Sequence, residues 1–561
     1  MPSLLTIPRE LQNMVVANFS VHCTPTTNAA QKRPRKSRLP PISWFMFAKA
    51  FDDHEPDRHD RAYQATLANL CLVSKACQDL ATPYLYHRPL PADGPQELLV
   101  SLARTILRKP SLALHVRHLS QKGWYRPACF FTMPEMSLAE IRLFKSAAAK
   151  CYEITDSSYA DIWLGVTDTD PIYMSKEGEL AQFYDGNERQ AIRLLRFESS
   201  LASLLMSACL NLEEITLVTR FHPSFCLPSP GNILPRLRSL EVEYDIHREH
   251  MPSAYSGTTL GDIDLVLSSA PNLARLAIKS LHKIDRTPRV TVPWSSLPST
   301  EMIPSTLREL TFDHSMLTHS ELQTILDCCP SLEKLRTHIA YSVYPKEVVP
   351  SLLQKALVSS KCASTIRTLD VDLSPVLPGG PSEDEDRRIV SLASLRALEE
   401  LIIDVTSIWP GHIESETARV LVDLLPASIR TFRLFPGRIG IHTPTVLFAA
   451  VMELARSAPA YFPALRTVEV CGLDYAQAKK AKAVFEKHGV AFSNLTARGK
   501  KNGVSYESAI VVSAGGSGVY NGPDWEYDEY DHGGDDEEAE DEEAEDEEAE
   551  DEEAEDEDSD E

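Results

Sequence analysis

The sequence predicts an α/β chain: a solenoid of parallel strands and helices, with a small helical module ahead of it and a disordered acidic tail behind. Three observations predict this. A short apolar phrase returns along most of the chain, helical periodicity fills the intervals between its returns, and the acidic charge is gathered at one end.

The phrase reads apolar-x-x-apolar-x-apolar. It occurs at Leu212/Ile215/Leu217, Leu237/Leu240/Val242, Leu273/Leu276/Ile278, Leu307/Leu310/Phe312, Leu332/Leu335/Thr337, Ile366/Leu369/Val371, Leu398/Leu401/Ile403, Ile429/Phe432/Leu434 and Leu465/Val468/Val470, and only Thr337 breaks the rule. Steps between first positions run from 25 residues (Leu212 to Leu237) to 36 (Leu237 to Leu273). A fixed phrase at this pitch is how stacked supersecondary units read in sequence, because a unit that cannot bury its apolar face alone must cover it with a neighbour. The spacing inside the phrase fits a strand whose fourth and sixth residues point inward while the third, fifth and seventh face solvent.

Between the phrases, Leu322, Ile325, Leu326 and Cys329, or Val420, Leu421, Leu424 and Leu425, repeat at helical spacing. Pro271, Pro330, Pro426 and Pro459 are read as the stops of such helices, since proline cannot continue a helix and biases its predecessor towards extended geometry. The combination resembles the leucine-rich-repeat family in an irregular form. It departs from that family where an Asn or Cys ladder comes after the strand, because Arg220, Asp245, Leu281 and Ser315 stand there. The repeats are assigned to residues 91–513, with Leu98, Leu99, Leu102, Ile106 and Leu107 as a helix before a degenerate first strand at Val116–Leu119. Lys122 to Asp185 fit no repeat, a helix is expected from about Glu188 to Cys209, and Tyr475–His488 with Val504–Val512 reads as a closing helix and strand.

The chain opens with Ile7-Pro8-Arg9-Glu10-Leu11, then Val15 and Phe19 at four-residue steps. Pro8 suits a first helical turn, Glu10 complements the helix N-terminus, and the apolar residues form one stripe. After an insertion at 20–66 come Leu67, Leu70, Val73-Ser74-Lys75 and Leu80, then Pro83-Tyr84-Leu85-Tyr86. The order L-P-like start, L-x-x-L-x-x-V-S-K and closing P-Y-L-Y resembles the F-box domain of fungal proteins. The resemblance implies that residues 1–90 dock on a Skp-type adaptor of a cullin-based ubiquitin ligase through Ile7, Pro8, Leu11, Val15, Leu70 and Val73. The same stripe also suits a plain helical cap of the repeats. Inside the insertion, Lys32–Arg38 is a basic run that fits a nuclear localisation signal, an anionic-surface contact or a solvated loop, and Trp44, Phe45, Phe47 and Phe51 suit a helix packed on the module.

The formal net charge is −25, of which Asp535–Glu561 contributes 22 acidic residues, so the body is close to neutral. Residues 514–561 read as a flexible linker and a low-complexity tail that has no apolar face to bury and so stays disordered. The tail either engages basic partners or only solubilises the chain. Eleven cysteines without a C-x-x-C pair suggest reduced core residues in a cytoplasmic or nuclear protein. No apolar run is long enough to span a bilayer, so no membrane partner is expected.

No nucleotide loop, zinc spacing or nucleophile elbow appears, so the expectation is a non-catalytic protein without cofactor or metal and without direct nucleic-acid binding. Binding then falls to the outward strand positions, where acidic residues prevail. Glu241, Glu243, Asp313, Asp370, Asp372 and Asp404 are the candidate contacts for a protein substrate with a basic segment. The overall expectation is the substrate-recognition subunit of a Skp–cullin–F-box ligase. The alternative is a non-ligase repeat scaffold whose tail binds basic proteins, nuclear ones included.

Overall fold

A computed structural model of the chain describes residues 8–17, 58–89, 95–120, 137–152, 199–219, 234–244, 263–280, 303–315, 319–339, 349–373, 388–409, 418–435 and 444–495. Each of the nine phrases becomes a strand of one parallel sheet. They are β2 (Glu214–Thr219), β3 (Ser239–Tyr244), β4 (Arg275–Ser280), β5 (Glu309–Ser315), β6 (Lys334–Ile339), β7 (Thr368–Asp372), β8 (Glu400–Asp404), β9 (Thr431–Phe435) and β10 (Thr467–Cys471). β1 (His118–Ser120) precedes them, β11 (Ala491–Leu495) closes the series, and spatial order equals sequence order throughout the 11-stranded sheet. Such an order is compatible with a solenoid, since every unit touches only its neighbours.

Register derives from the phrase. Ile215, Leu240, Leu276, Leu310, Leu335, Leu369, Leu401, Phe432 and Val468 stand side by side along the sheet. All are buried, as are the phrase's first and sixth positions, including Thr337. The first-position residue sits just ahead of the strand, and a tight turn puts it there. The amide of Leu212 bonds the Cys209 carbonyl at 3.1 Å, and Leu237, Leu273, Leu332 and Leu465 bond Leu234, Ala270, Cys329 and Phe462 in the same way at 3.0–3.2 Å. The turn swings an apolar side chain under the sheet before extension begins, which explains the two-residue gap between the first and fourth positions.

A second backbone column lies beside it. The carbonyl of the residue just before each of β1 to β9 takes two amides of the next unit: Arg117 O accepts from Glu213 (2.7 Å) and Glu214 (3.1 Å), and Arg430 O from Arg466 (2.8 Å) and Thr467 (3.1 Å). The column starts upstream of β1, where His87 O accepts the amides of Arg117 (3.0 Å) and His118 (3.1 Å).

Helices fill the intervals. α1 (Arg9–Ala17), α2 (Arg58–Val73) and α3 (Lys75–Leu85) form the N-terminal module, whose own small core is Val16, Leu67, Leu80 and Ala81. Ser74 separates α2 from α3 in extended geometry and caps α3 by accepting the Cys77 amide at 3.1 Å. α4 (Pro95–Arg108) packs on α5 (Leu138–Tyr152), which falls in the stretch that matched no repeat. A helix over 199–208 leads into β2. Next come α6 (Asp264–Ser269), α7 (His319–Cys328), α8 (Pro350–Ser359), α9 (Val405–Ile408), α10 (Val420–Leu424), α11 (Pro444–Tyr461) and α12 (Tyr475–Lys487), with α7 packed on α8 and α11 on both α10 and α12. One continuous core runs from Leu99 to Phe492 beneath the sheet, and Phe485 stacks on Phe492 at 5.3 Å where it closes.

One expected helix stop needs correction. Pro459 does not end its helix: α11 continues to Tyr461, and the Phe462 amide still reaches the Ala458 carbonyl at 2.9 Å. A proline this near the C-terminus removes one internal amide bond, and the remaining turn completes itself. The strand after α12 is Ala491–Leu495, four residues past the helix, while Val504–Val512 lies outside the described residues, as do the basic run 32–38, the aromatic group 44–51 and the acidic tail. No helix among the described residues is long and apolar enough to cross a membrane.

Candidate functional site

Two surfaces hold the residues singled out by sequence. The first is on the helical module. α1 turns Val16 and Gln12 into the small core and leaves Leu11 (47% exposed), Met14 and Val15 outward. Leu11 and Val15, members of one stripe in the sequence, stand one turn apart on one face. That face is turned away from the module's core. The end of α2 behaves likewise, with Leu72 84% and Val73 70% exposed, while Leu70 is half-buried against the small core. Pro8 is exposed at the helix start, and Ile7 lies outside the described residues. The Tyr84 hydroxyl donates to the Asn13 carbonyl at 3.3 Å, which ties α1 to α3. Met14 and Leu72 escape a sequence reading because they match no stated motif position. Their signal is bulk: large apolar side chains at the polar-facing phase of their helices.

The second surface is the outward face of the sheet, and it is a lattice of ion pairs between neighbouring strands. Glu214 takes His118 from β1 at 3.1 Å and Arg275 from β4 at 2.8 Å; the intervening strand presents only Ser239, which is small enough for Arg275 to reach past. The His118 hydrogen bond, with Arg275 also close, holds the Glu214 carboxyl down to about 2. Glu241 meets Lys279 at 2.9 Å, Lys334 meets Glu309 at 2.9 Å, and Arg433 bridges Glu400 (3.6 Å) and Glu469 (3.0 Å).

Around β6 these contacts merge into one cluster. His338 lies 2.9 Å from Asp370 and 3.6 Å from Asp313, and Arg336 lies 3.6 and 3.7 Å from the same two carboxylates. Asp313, Asp370 and Asp372 are partly exposed, so three of the six expected acidic contacts stand together on β5 and β7. Glu241 is half-buried on β3.

Glu243 and Asp404 do not face solvent, contrary to the alternation rule. Glu243 is 2% exposed and Asp404 is fully buried. For Asp404 the reason lies in the next residues: the chain turns straight into α9, and Asp404 is that helix's N-cap. Its carboxylate accepts the amides of Ser407 and Leu373, each at 2.9 Å, and the hydroxyls of Thr406 and Ser407. Burial, with Asp372 nearby adding to it, pushes the Asp404 carboxyl above the usual carboxylate range. Alternation also fails at the ends of the next two strands, β9 and β10, where Phe435 and Cys471 are buried. Strand period describes a strand, not the segment that folds over its end.

Three of the described cysteines are held as thiols by burial. Burial pushes Cys209 and Cys329 up to about 12 and Cys471 to about 11, so all three stay protonated near neutrality. Among the described residues no group of three or more His, Cys, Asp or Glu side chains is placed to hold a metal ion. No protein-family model matches the chain, and no curated protein sequence matches it.

Proposed function

We propose that the protein is a non-catalytic substrate receptor. In this reading residues 1–90 are an F-box-like module that docks on a Skp-type adaptor of a cullin ubiquitin ligase. Residues 91–513 are an irregular leucine-rich-repeat solenoid whose strand face holds the target. The receptor contributes proximity: it keeps target lysines near a conjugating enzyme and makes no bond itself.

One observation carries the reading. Leu11, Val15 and Val73, for which the F-box resemblance implies adaptor contact, are exposed apolar side chains on a module whose own core is already closed by Val16, Leu67, Leu80 and Ala81. Apolar side chains left exposed while the core beside them is closed favour a protein partner over water. The partly exposed acidic group Asp313, Asp370 and Asp372 supports a target with a basic segment, through complementarity that acts more on encounter than on final affinity.

The test is co-purification from the native cell. The parent chain is expected to bring down a Skp-type adaptor, and Leu11→Asp with Val15→Asp is expected to lose it while the sheet still folds. Failure of the parent chain to retain any adaptor overturns the ligase reading. Lysine at Asp370 and Asp372 with unchanged target capture overturns the acidic-contact part alone.

A further inference from the structure

The residue immediately before each strand forms a row of its own, separate from the outward face described above. Its carbonyl is locked into the backbone column, so successive members sit one strand apart, about 4.8 Å. Along β1 to β10, arginine recurs at every second step: Arg117, Arg238, Arg308, Arg367 and Arg430, with Arg466 added at the end. Arg238, Arg308, Arg367, Arg430 and Arg466 are exposed. The intervening steps hold Glu213, Ala274, Glu333 and Glu399, and from Arg308 onward the arginines stand proud of the glutamates between them.

The arginines are only lightly engaged. Arg117, Arg308, Arg367 and Arg430 sit 3.4–3.6 Å from Glu213, Glu333 or Glu399, at contacts that water reaches. Exposed pairs of this kind contribute little, so a better-placed carboxylate displaces them at small cost. Arg238 and Arg466 have no ion pair among the described residues.

We propose that this arginine row is a docking surface for an acidic, extended protein segment whose carboxylates recur every third residue. The spacing argues for it. Arginines two strands apart are about 10 Å from one another, and a polyproline-type helix, with three residues per turn at about 3.1 Å each, presents every third side chain on one face at about 9 Å. Guanidinium groups hold carboxylates through paired hydrogen bonds, which favours arginine over lysine in such a row. Nucleic acid fits less well. A continuous phosphate backbone would place charge over Glu333 and Glu399 as well, and no Phe, Tyr or Trp occupies the positions on either side of the row to stack a base. Adaptor binding plays no part in this docking.

The experiment uses the full chain and a fluorescent peptide of about six Glu-Pro-Pro repeats, which favours the extended helix. Two competitors of equal charge accompany it: a peptide of the same composition with its glutamates in one block, and a single-stranded oligothymidine. Fluorescence anisotropy at low salt is expected to show the spaced peptide binding best. Arg238→Gln with Arg367→Gln and Arg430→Gln is expected to weaken it about tenfold or more, and salt at about 150 mM weakens it in the parent. A thermal melt of the triple variant checks the fold. If that melt is lost, Arg466→Gln, which breaks no ion pair, replaces it with an expected loss of about twofold to threefold. Absence of binding by the parent, equal binding by the variant, or equal or tighter binding of either competitor overturns the proposal.

Discussion

Asp404→Ala tests how the sheet tolerates a buried carboxylate. The substitution strands two backbone amides, Leu373 N–H at the end of β7 and Ser407 N–H in α9, each now 2.9 Å from a carboxylate oxygen. A buried donor without a partner costs about 1–3 kcal/mol, and the Ser407 share is the loss of a helix cap. The hydroxyls of Thr406 and Ser407 can rotate towards other acceptors, but the amides cannot. Two amides set a range of about 2–6 kcal/mol, and relief of the carboxylate's own burial penalty draws the result towards the lower half. Urea unfolding should therefore show a lower midpoint at unchanged slope, with faster amide exchange at Leu373 and Ser407. A pH series adds a second arm. The folded-state carboxyl is raised above its ordinary 3.8, so as pH climbs past that value the unfolded chain releases its proton first and stability falls. Asp404→Asn removes that slope. An alanine variant within about 1 kcal/mol of the parent, or a parent-minus-Asn difference that is flat or rises with pH, refutes the reasoning.

The same geometry sets further outcomes. His118→Ala should return the Glu214 carboxyl from about 2 towards its usual 4.5, read by NMR titration, and a midpoint still near 2 contradicts the assigned cause. Because that carboxyl is depressed, its contribution to stability is complete above 4.5 and is lost as pH falls towards 2, and the variant should lack this acid-side loss. Phe312→Ala, at a side chain 1% exposed under β5, should cost about 3–5 kcal/mol by denaturation. Gly472→Ala should cost about 1–2 kcal/mol although its new methyl meets only Leu447 Cδ2 at 3.7 Å, because the backbone there holds φ at +103°.

Strand positions were legible because one period carried both a local and a global requirement. Each phrase had to alternate within its strand and match its neighbours in register, and even Thr337, the one departure, is buried in line with Phe312 and Val371. Less legible were features set by the path the chain takes on leaving a strand. Asp404 looked like Asp370 in sequence, and only the chain's turn into α9 separates a buried cap from a surface charge. Leu138–Tyr152 escaped notice because it packs on α4 and no phrase flanks it. The arginine row was present in the sequence one place after Leu237, Leu307, Ile366, Ile429 and Leu465. It stands just outside the strands, where the alternation of inward and outward positions carries no information.

The His87 carbonyl accepts the two amides that any later unit would hand to the unit before it. The last residues after α3 thus act as an unlabelled zeroth rung, and the module is welded to the ladder by main-chain bonds instead of hanging from a tether. On the receptor proposal, a partner at Leu11 and Val73 and a partner on the strands would be held by one continuous main-chain scaffold.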